Sequence, residues 1–586
     1  MKKRIALLCV FSLLLGLLAG CASSSQTPSQ PAAEAASAEP AAEPSPPPIA
    51  EPAAAPEPAQ APAVEPEAEQ SASEPAEEES NSAPDAELAY STVAFPFTDE
   101  PVTLEYYLAA PNIPAGGGID GYADMQVIQD LEAASGVHIY FNEISFAAYT
   151  TQFQLMCASG LYPDMMSNVQ QYYSTGAVGA YEDEIIIPLN DLLEENAPDF
   201  LRLIESKGVT SELKDDNGNI LYFVQLLDSL AQKSGCVVRG DWLDALNMDV
   251  PETVSQMEDV LVAFKQTYDC QQPLYMTSSN SGANLAGAFG LSGDGTDGGL
   301  MQVDGQITTV FVQEEYLDYI QLLHSWFEKG LFSQDYVSTD YDPFAQLEKT
   351  LLATNDVGVW SANLNDLPGY DGVAEEGFYL YAVPALVREP GDVLHFNTLS
   401  YVENSTVSIS TLCQYPELAA NWSNYWYTDE GYLQYNYGVQ DLTFTFDDAG
   451  EVEYTDMVYN NDLGFSGSQF LRLYCLAGQL PGYQAQRRTA CFYNELQNQA
   501  WDIWTDSLGD SANTIPSGVT LTAEESTEYS NRISDIETYV SENIPKFILG
   551  MKPFEEWDEF IDNILASDID RCVEIYQIAL DRYNNR

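Results

Sequence analysis

Cys157-Ala-Ser-Gly-Leu-Tyr-Pro-Asp-Met-Met-Ser-Asn168 is the stretch from which the fold can be read. Gly160 lacks a Cβ and suits the left-handed turn that ends a helix, so a helix is predicted over roughly Ala147–Ala158. Pro163 pushes the chain into extended conformation, and Met165-Met166 then predicts a short buried strand. Upstream, Val102, Leu104, Tyr106 and Leu108 alternate as a strand. Met125, Ile128 and Leu131 form a helical stripe ending at Gly136, and Val137, Ile139 and Phe141 alternate again. The order β-α-β-α-β predicts an α/β domain with a parallel sheet. Ligands of such sheets sit at the carboxyl ends of the strands. The loop to watch is therefore Ser167-Asn-Val-Gln-Gln-Tyr-Tyr173, which holds amides and aromatics but no charge. It suits a neutral polyhydroxylated ligand better than an ion.

Residues 1–20 form a targeting segment, with a basic Lys2-Lys3-Arg4 and an apolar Ile5–Leu18 too short for a membrane span. Its end, Leu18-Ala-Gly-Cys21, resembles the lipobox of bacterial lipoproteins, which implies cleavage before Cys21 and lipidation of that residue. Several acyl chains at ~0.8 kcal/mol per buried methylene would hold the protein at a membrane. Residues 22–90 are almost entirely Ala, Pro, Glu, Ser and Gln and offer too little apolar area to offset chain entropy. They are expected to be a disordered tether, with an r.m.s. span of roughly 50 Å before proline and charge repulsion lengthen it.

About 490 residues follow the tether, enough for two or three domains with sizeable cores. The full chain carries 21 Lys+Arg against 90 Asp+Glu, a net charge of −69. That balance excludes a phosphate-gripping nucleic-acid binder and fits a solvated acidic surface. Beyond Cys9 and Cys21, seven cysteines remain with no C-x-x-C spacing, which argues against a zinc site or a disulfide framework. Cys475 and Cys491 could pair, but buried free thiols are the default. His138, His324 and His395 are far apart and support no triad.

Further along, Pro188-Leu-Asn-Asp-Leu-Leu-Glu-Glu195 opens a helix that Asn190 is placed to cap. Asp215-Asp-Asn-Gly-Asn219 echoes a calcium loop, but its glycine is misplaced and no glutamate closes it. A hairpin turn at Asn217-Gly218 is expected instead. Cys236–Leu243 predicts a strand running into a helix, Pro251–Phe264 an amphipathic helix, and Pro273–Met276 a strand followed by a neutral loop at Asn280. Gly293–Gly299 lacks the Gly-Lys-Ser/Thr of a phosphate loop. Long helices are expected from Glu314 to Gly330 and beyond Glu524, with Ile564 and Leu565 on one apolar face and Val573, Ile575 and Ile578 on another.

Several stretches in collinear order resemble the family 1 extracellular solute-binding proteins of ABC importers, in the large lipoprotein branch linked with complex oligosaccharides. They are Ala158–Asp164, Pro188–Leu193, Arg239-Gly-Asp-Trp-Leu243, Lys329-Gly-Leu331, Tyr437-Gly438, Asp447-Asp-Ala-Gly450, Phe547-Ile-Leu-Gly550 and Tyr576–Arg582. The sequence departs at Gln440-Asp441, where the branch more usually shows Glu-Gly. The resemblance implies two α/β lobes of the periplasmic-binding-protein type, each discontinuous, with a hinge and a helical C-terminal region. Lobe one is expected at about 98–232 plus 394–480 and lobe two at about 233–393 plus 481–586. It further implies a lipid-anchored, extracytoplasmic protein that closes on a carbohydrate and delivers it to permease subunits; a monomer is expected, with no cofactor and no metal-site residues assigned and bound calcium left open. Candidate ligand contacts are Asn168, Gln171 and Tyr172 on the first strand-end loop, where maltose-binding relatives also touch sugar, and Asn280 on the matching loop of lobe two. Trp360 resembles the tryptophan that stacks on a sugar ring in those relatives, with a core role equally open, and Tyr493 lies near the return crossing. Trp242 and Trp557 sit in motifs that look structural.

Two other classes stay open at this point. A secreted glycan hydrolase needs a pair of carboxylates at set separation, and with 90 acidic residues such a pair carries no signal. No nucleophile elbow or H-E-x-x-H motif is present. A glycan sensor or adhesin uncoupled from import would share every feature above.

Overall fold

The computed structural model describes residues 93–276, 285–333, 336–337, 346–370, 372–373 and 376–586. The targeting segment, Cys21, the tether and Asn280 lie outside them. In chain order the strands are β1 (Val102–Ala109), β2 (Val137–Ile144), β3 (Met165–Ser167), β4 (Phe223–Leu227), β5 (Ser234–Arg239), β6 (Leu300–Val303), β7 (Gln306–Thr309), β8 (Val359–Asn363), β9 (Leu380–Val383), β10 (Val402–Ile409), β11 (Phe444–Phe446), β12 (Val452–Tyr454) and β13 (Tyr483–Gln484).

The protein has two lobes, each α/β. The first is built on a six-stranded sheet in the order β13-β4-β10-β3-β1-β2. Its opening segment follows the sequence closely. β1 pairs in parallel with β2 and β3. The helices between them, Gln126–Ser135 and Tyr149–Ser159, end at Gly136 (φ 76°) and Gly160 (φ 67°), both left-handed caps. The sheet is mixed rather than wholly parallel, because β10 runs antiparallel between β3 and β4. Both faces are covered. Leu104, Tyr106, Ile128, Phe200, Phe223, Trp422 and Trp426 fill one side, and Tyr107, Tyr149, Phe153, Met166 and Val169 the other.

The second lobe has a three-stranded antiparallel sheet, β8-β5-β9. The expected strand at Pro273–Met276 is reduced to single bridges from Leu274 to Phe332 and Val359. Most of this lobe is helical. Val254–Tyr268 starts at a Thr253–Gln256 capping box and buries Met257, Leu261 and Phe264. Glu314–Glu328 and Ala523–Ile548 pack into the same core, which includes Trp326, Val540, Phe547, Trp557 and Phe560. Trp242 and Trp557 are buried, as their motifs suggested.

Some local expectations are corrected. Asn190 does not cap its helix. Its amide donates to the Gly218 carbonyl and its Oδ1 accepts from the Ile220 N–H, tying the helix to the hairpin turn. Cys475 is buried and Cys491 exposed, and both are free thiols. Leu565 is exposed at the end of the helix Trp557–Leu565, which buries Trp557, Phe560 and Ile564, and Ile578 is exposed because the helix Ile569–Tyr583 buries Ile569, Cys572, Ile575, Ala579 and Leu580 instead.

Candidate functional site

The carboxyl ends of β1, β2, β3, β4 and β13 all point to one end of the first sheet. From that end β4 passes directly into β5 of the second lobe, six residues later, across positions 228–233. The same end therefore faces the second lobe, and in open α/β sheets the loops at the carboxyl ends of the strands are the usual place for a ligand.

The loop after β3 is pinned by its own amides. Asn168 adopts φ 55°, a left-handed conformation asparagine tolerates. Its Oδ1 accepts the Thr406 N–H at 3.0 Å, and its N–H donates to the Thr406 carbonyl at 3.0 Å. Gln170 and the Thr406 hydroxyl bond side chain to side chain. Gln171 is exposed and half-buried Tyr172 lies 4.8 Å from the Tyr149 ring, centroid to centroid. The Tyr149 hydroxyl in turn donates to the Ser167 carbonyl. Of the sequence candidates, Asn168, Gln171 and Tyr172 thus share one rim, with Asn168 spending its carbonyl oxygen on the scaffold.

The sequence reading missed Phe146. It follows β2 at the same end of the sheet and is 82% exposed. A large aromatic ring open to water at the strand-end rim offers a flat apolar face for stacking. Nothing periodic marks it; the only available signal is its position just past a strand that shares the ligand-bearing end. Beneath this rim Tyr107 is buried with its hydroxyl unpartnered, and burial pushes that hydroxyl up to about 12.

On the return side, Gln225 Nε2 donates to Gln484 Oε1, and the Gln486 N–H donates to Asp228 Oδ1 at 2.9 Å. Gln486 Oε1 is buried without a protein partner. Lys233, at the entry to β5, reaches solvent although protein crowds it. Burial lowers its ammonium, and Glu403 of β10 acts in the opposite direction. In lobe two Ser234 and Asn363 pair at the end of the β5–β8 ladder, directly after the crossing from β4. Tyr493 lies on the return crossing, its ring 6.2 Å from Trp501 and its hydroxyl 3.3 Å from that of Thr489.

Trp360 requires a correction. It pairs with Val237 inside the three-stranded sheet, is 0% exposed, and meets Tyr370 edge-on at 5.2 Å. No face of the indole is open, so in this conformation it is core. Among the described residues no group of three or more His, Cys, Asp or Glu side chains is arranged to hold a metal ion, and no helix is long and apolar enough to cross a membrane. The histidines are dispersed: His138 contacts Glu132, His324 the Ile548 carbonyl and His395 Asp510.

The fold is the one seen in solved two-lobed solute-binding proteins. The chain aligns with an HMO-binding, ABC-transporter-associated solute-binding protein from Bifidobacterium longum infantis at TM-score 0.65 and 18% identity, over 83% of this chain and 99% of that one. In sequence it is 23% identical over 281 residues to the fructooligosaccharide ABC transporter substrate-binding protein FusA of Streptococcus pneumoniae, 45% of this chain and 50% of that one. It is also 22% identical over 247 residues to the polygalacturonan/rhamnogalacturonan-binding protein YtcQ of Bacillus subtilis, 41% of this chain and 47% of that one. The chain thus spans about half the length of the curated relatives it matches. No family model matches the sequence.

Proposed function

We propose that this protein is the extracytoplasmic, lipid-anchored substrate-binding component of an ABC importer, and that it captures an oligosaccharide between its lobes without chemically altering it. The observation that carries this reading is the rim at one sheet end, turned toward the second lobe, where the loops after β2 and β3 carry exposed Phe146, exposed Gln171 and half-buried Tyr172. Ring faces suit the apolar face of a pyranose or furanose, and amides suit its hydroxyls. The sugar-binding relatives give the same class of ligand. Ligand bridging both lobes favours closure through its differential affinity for the closed state, and that state is what a permease recognises.

The lobes divide at about 98–232 plus 394–480 and 233–393 plus 481–586, with β13 extending lobe one a few residues past 480. Asn168 acts as scaffold, Gln171 and Tyr172 as contacts, and Phe146 as the stacking platform. A thermal-shift screen of residues 90–586 against kestose, fructo-nystose and oligogalacturonides tests this. A ligand at 100 times its Kd stabilises by ~2.7 kcal/mol, a visible shift. Recovery of the sugar unchanged supports a binding protein, and recovery of cleaved sugar favours a hydrolase.

A further inference from the structure

The acidic turn Asp215–Asn219 echoes a calcium loop yet has another use in the structure. Asp215 is consumed by the turn itself: its Oδ1 accepts the N–H groups of Asn217 and Asn219, and its Oδ2 accepts the Asn219 amide. That leaves Asp216 held outward, next to two arginines from the far end of the chain. Arg582 Nε donates to Asp216 Oδ2 at 2.6 Å, and its remaining nitrogens grip both oxygens of Glu525. Arg586 donates to Asp216 Oδ1 at 2.7 Å, to the carbonyls of Lys214 and Gly518 at 2.6 Å each, and to the Thr520 hydroxyl. Its side chain is only 1% exposed.

These groups belong to opposite lobes. Leu213 and Ile220, which bracket the turn, lie in the core of the first sheet. Ile569 and Cys572, on the helix that carries Arg582, lie in the core of the second lobe. A second polar link runs beside the first, where Glu212 accepts from Ser400, just before β10, and pairs with Ser517. A cavity of about 300 Å³ remains at this junction, lined by Val178 and Leu521 as well as Thr175, Glu182, Asp216 and Arg582, so the contact is incompletely packed. Contacts of that kind allow the two bodies to move.

We infer that Asp216 with Arg582 and Arg586 is an interlobe brace that sets the balance between lobe orientations, and with it the affinity of the cleft, without touching the ligand. The inference rests on the two-lobe closure proposed above. The brace is formed in this conformation, so weakening it shifts population toward others. Carboxylate–guanidinium pairs at partly solvated positions are screened by salt, so the orientation balance is salt-dependent.

The test is single-molecule energy transfer in the full chain, with dyes on non-natural residues at Tyr140 and Glu328, one exposed position in each lobe and neither of them a rim or brace residue. No ligand is needed, so failure of the brace and failure of the sugar assignment are separate results. Asp216→Asn is expected to change the ratio of interlobe-distance populations by about two- to fivefold, as an ion pair of this kind permits. Raising salt should move the wild type in the same direction and leave Asp216→Asn nearly unaffected. Arg586→Gln, which keeps the Asp216–Arg582 pair, is expected to shift the balance part of the way, and it carries the test if Asp216→Asn fails to fold. Exposed Glu555→Gln serves as the charge control. Identical distance distributions for wild type and the folded brace variants at every salt concentration would overturn the inference.

Discussion

Each lobe places a cluster of aromatic rings beside the ends of its sheet, and the two clusters differ in what their rings face. In the first lobe Tyr149 and Phe153 are buried, but Tyr172 is only half covered and Phe146 stands open to water. In the second, Trp360, Trp501 and Trp504 are all buried around β5 and β8. Trp504 closes that cluster by lying flat against Gly235, where a Cβ would meet the indole at 2.5 Å, while its Nε1 donates to the Cys236 carbonyl. Both clusters are aromatic and lie against a sheet. Only exposure separates a platform from a core, and exposure depends on which neighbour covers the ring. In the second lobe the helix Glu495–Asp506 covers it by packing on β9 and β5.

That contrast can be broken by substitution, beginning with the changes of largest expected effect. Arg239 and Trp360 sit in the closed lobe. Arg239 is buried, pairs with Asp241 through two nitrogens, bonds Asn355 and lies 4.2 Å from the Trp242 ring centre. Arg239→Ala leaves Asp241 unpaired in a partly buried place and should cost about 3–5 kcal/mol of stability. Trp360→Ala opens a cavity and should cost about 3–5 kcal/mol. Urea unfolding measures both, and any loss of ligand binding should vanish under conditions where the variants remain folded. Tyr172→Ala should cost about 1–2 kcal/mol and also weaken ligand binding, as expected for a ring half in the core and half at the rim. Gly160→Ala should cost about 1–2 kcal/mol through its left-handed φ of 67° alone, since open space surrounds it, and should leave binding unchanged. Phe146→Ala should change stability by less than about 0.5 kcal/mol, yet lower oligosaccharide affinity up to about tenfold by calorimetric titration. A Phe146 variant that melts early, or a Trp360 variant that folds normally but cannot bind, would reverse the comparison.

The first βαβαβ unit was legible because each of its signals is local: alternation in Val102–Leu108 and Val137–Phe141, and glycine caps at 136 and 160. β10 was not legible. Its Val402-Glu-Asn-Ser-Thr-Val-Ser-Ile409 looks polar, yet the strand lies at the centre of the sheet with both faces covered, burying Thr406 and Ser408 alongside Val407 and Ile409. Thr406 finds its partners in Asn168 and Gln170, 238 and 236 residues away in sequence, and no local pattern carries such pairing. Asn190 misled for a related reason. Its amide serves the hairpin at Gly218 and Ile220 instead of its own helix. The strand-end rule points to the loop of Asn168, Gln171 and Tyr172, while exposed Phe146 and buried Gln486 escaped it because burial and exposure of single residues are tertiary properties. The acidic turn at Asp215–Asn219 is the expected hairpin turn, but its pairing with Arg582 and Arg586 from the far end of the chain was not legible.

The most direct measurement is calorimetric titration of residues 90–586 with oligosaccharides that shift the melting temperature, run beside Phe146→Ala and followed by chromatography of the recovered sugar. Saturable binding that returns the sugar intact, and that weakens in Phe146→Ala while its melting temperature holds, is the predicted result. Cleaved sugar, or binding unaltered by loss of the exposed ring, would contradict a non-hydrolytic carbohydrate-binding cleft built on the rim of the first lobe.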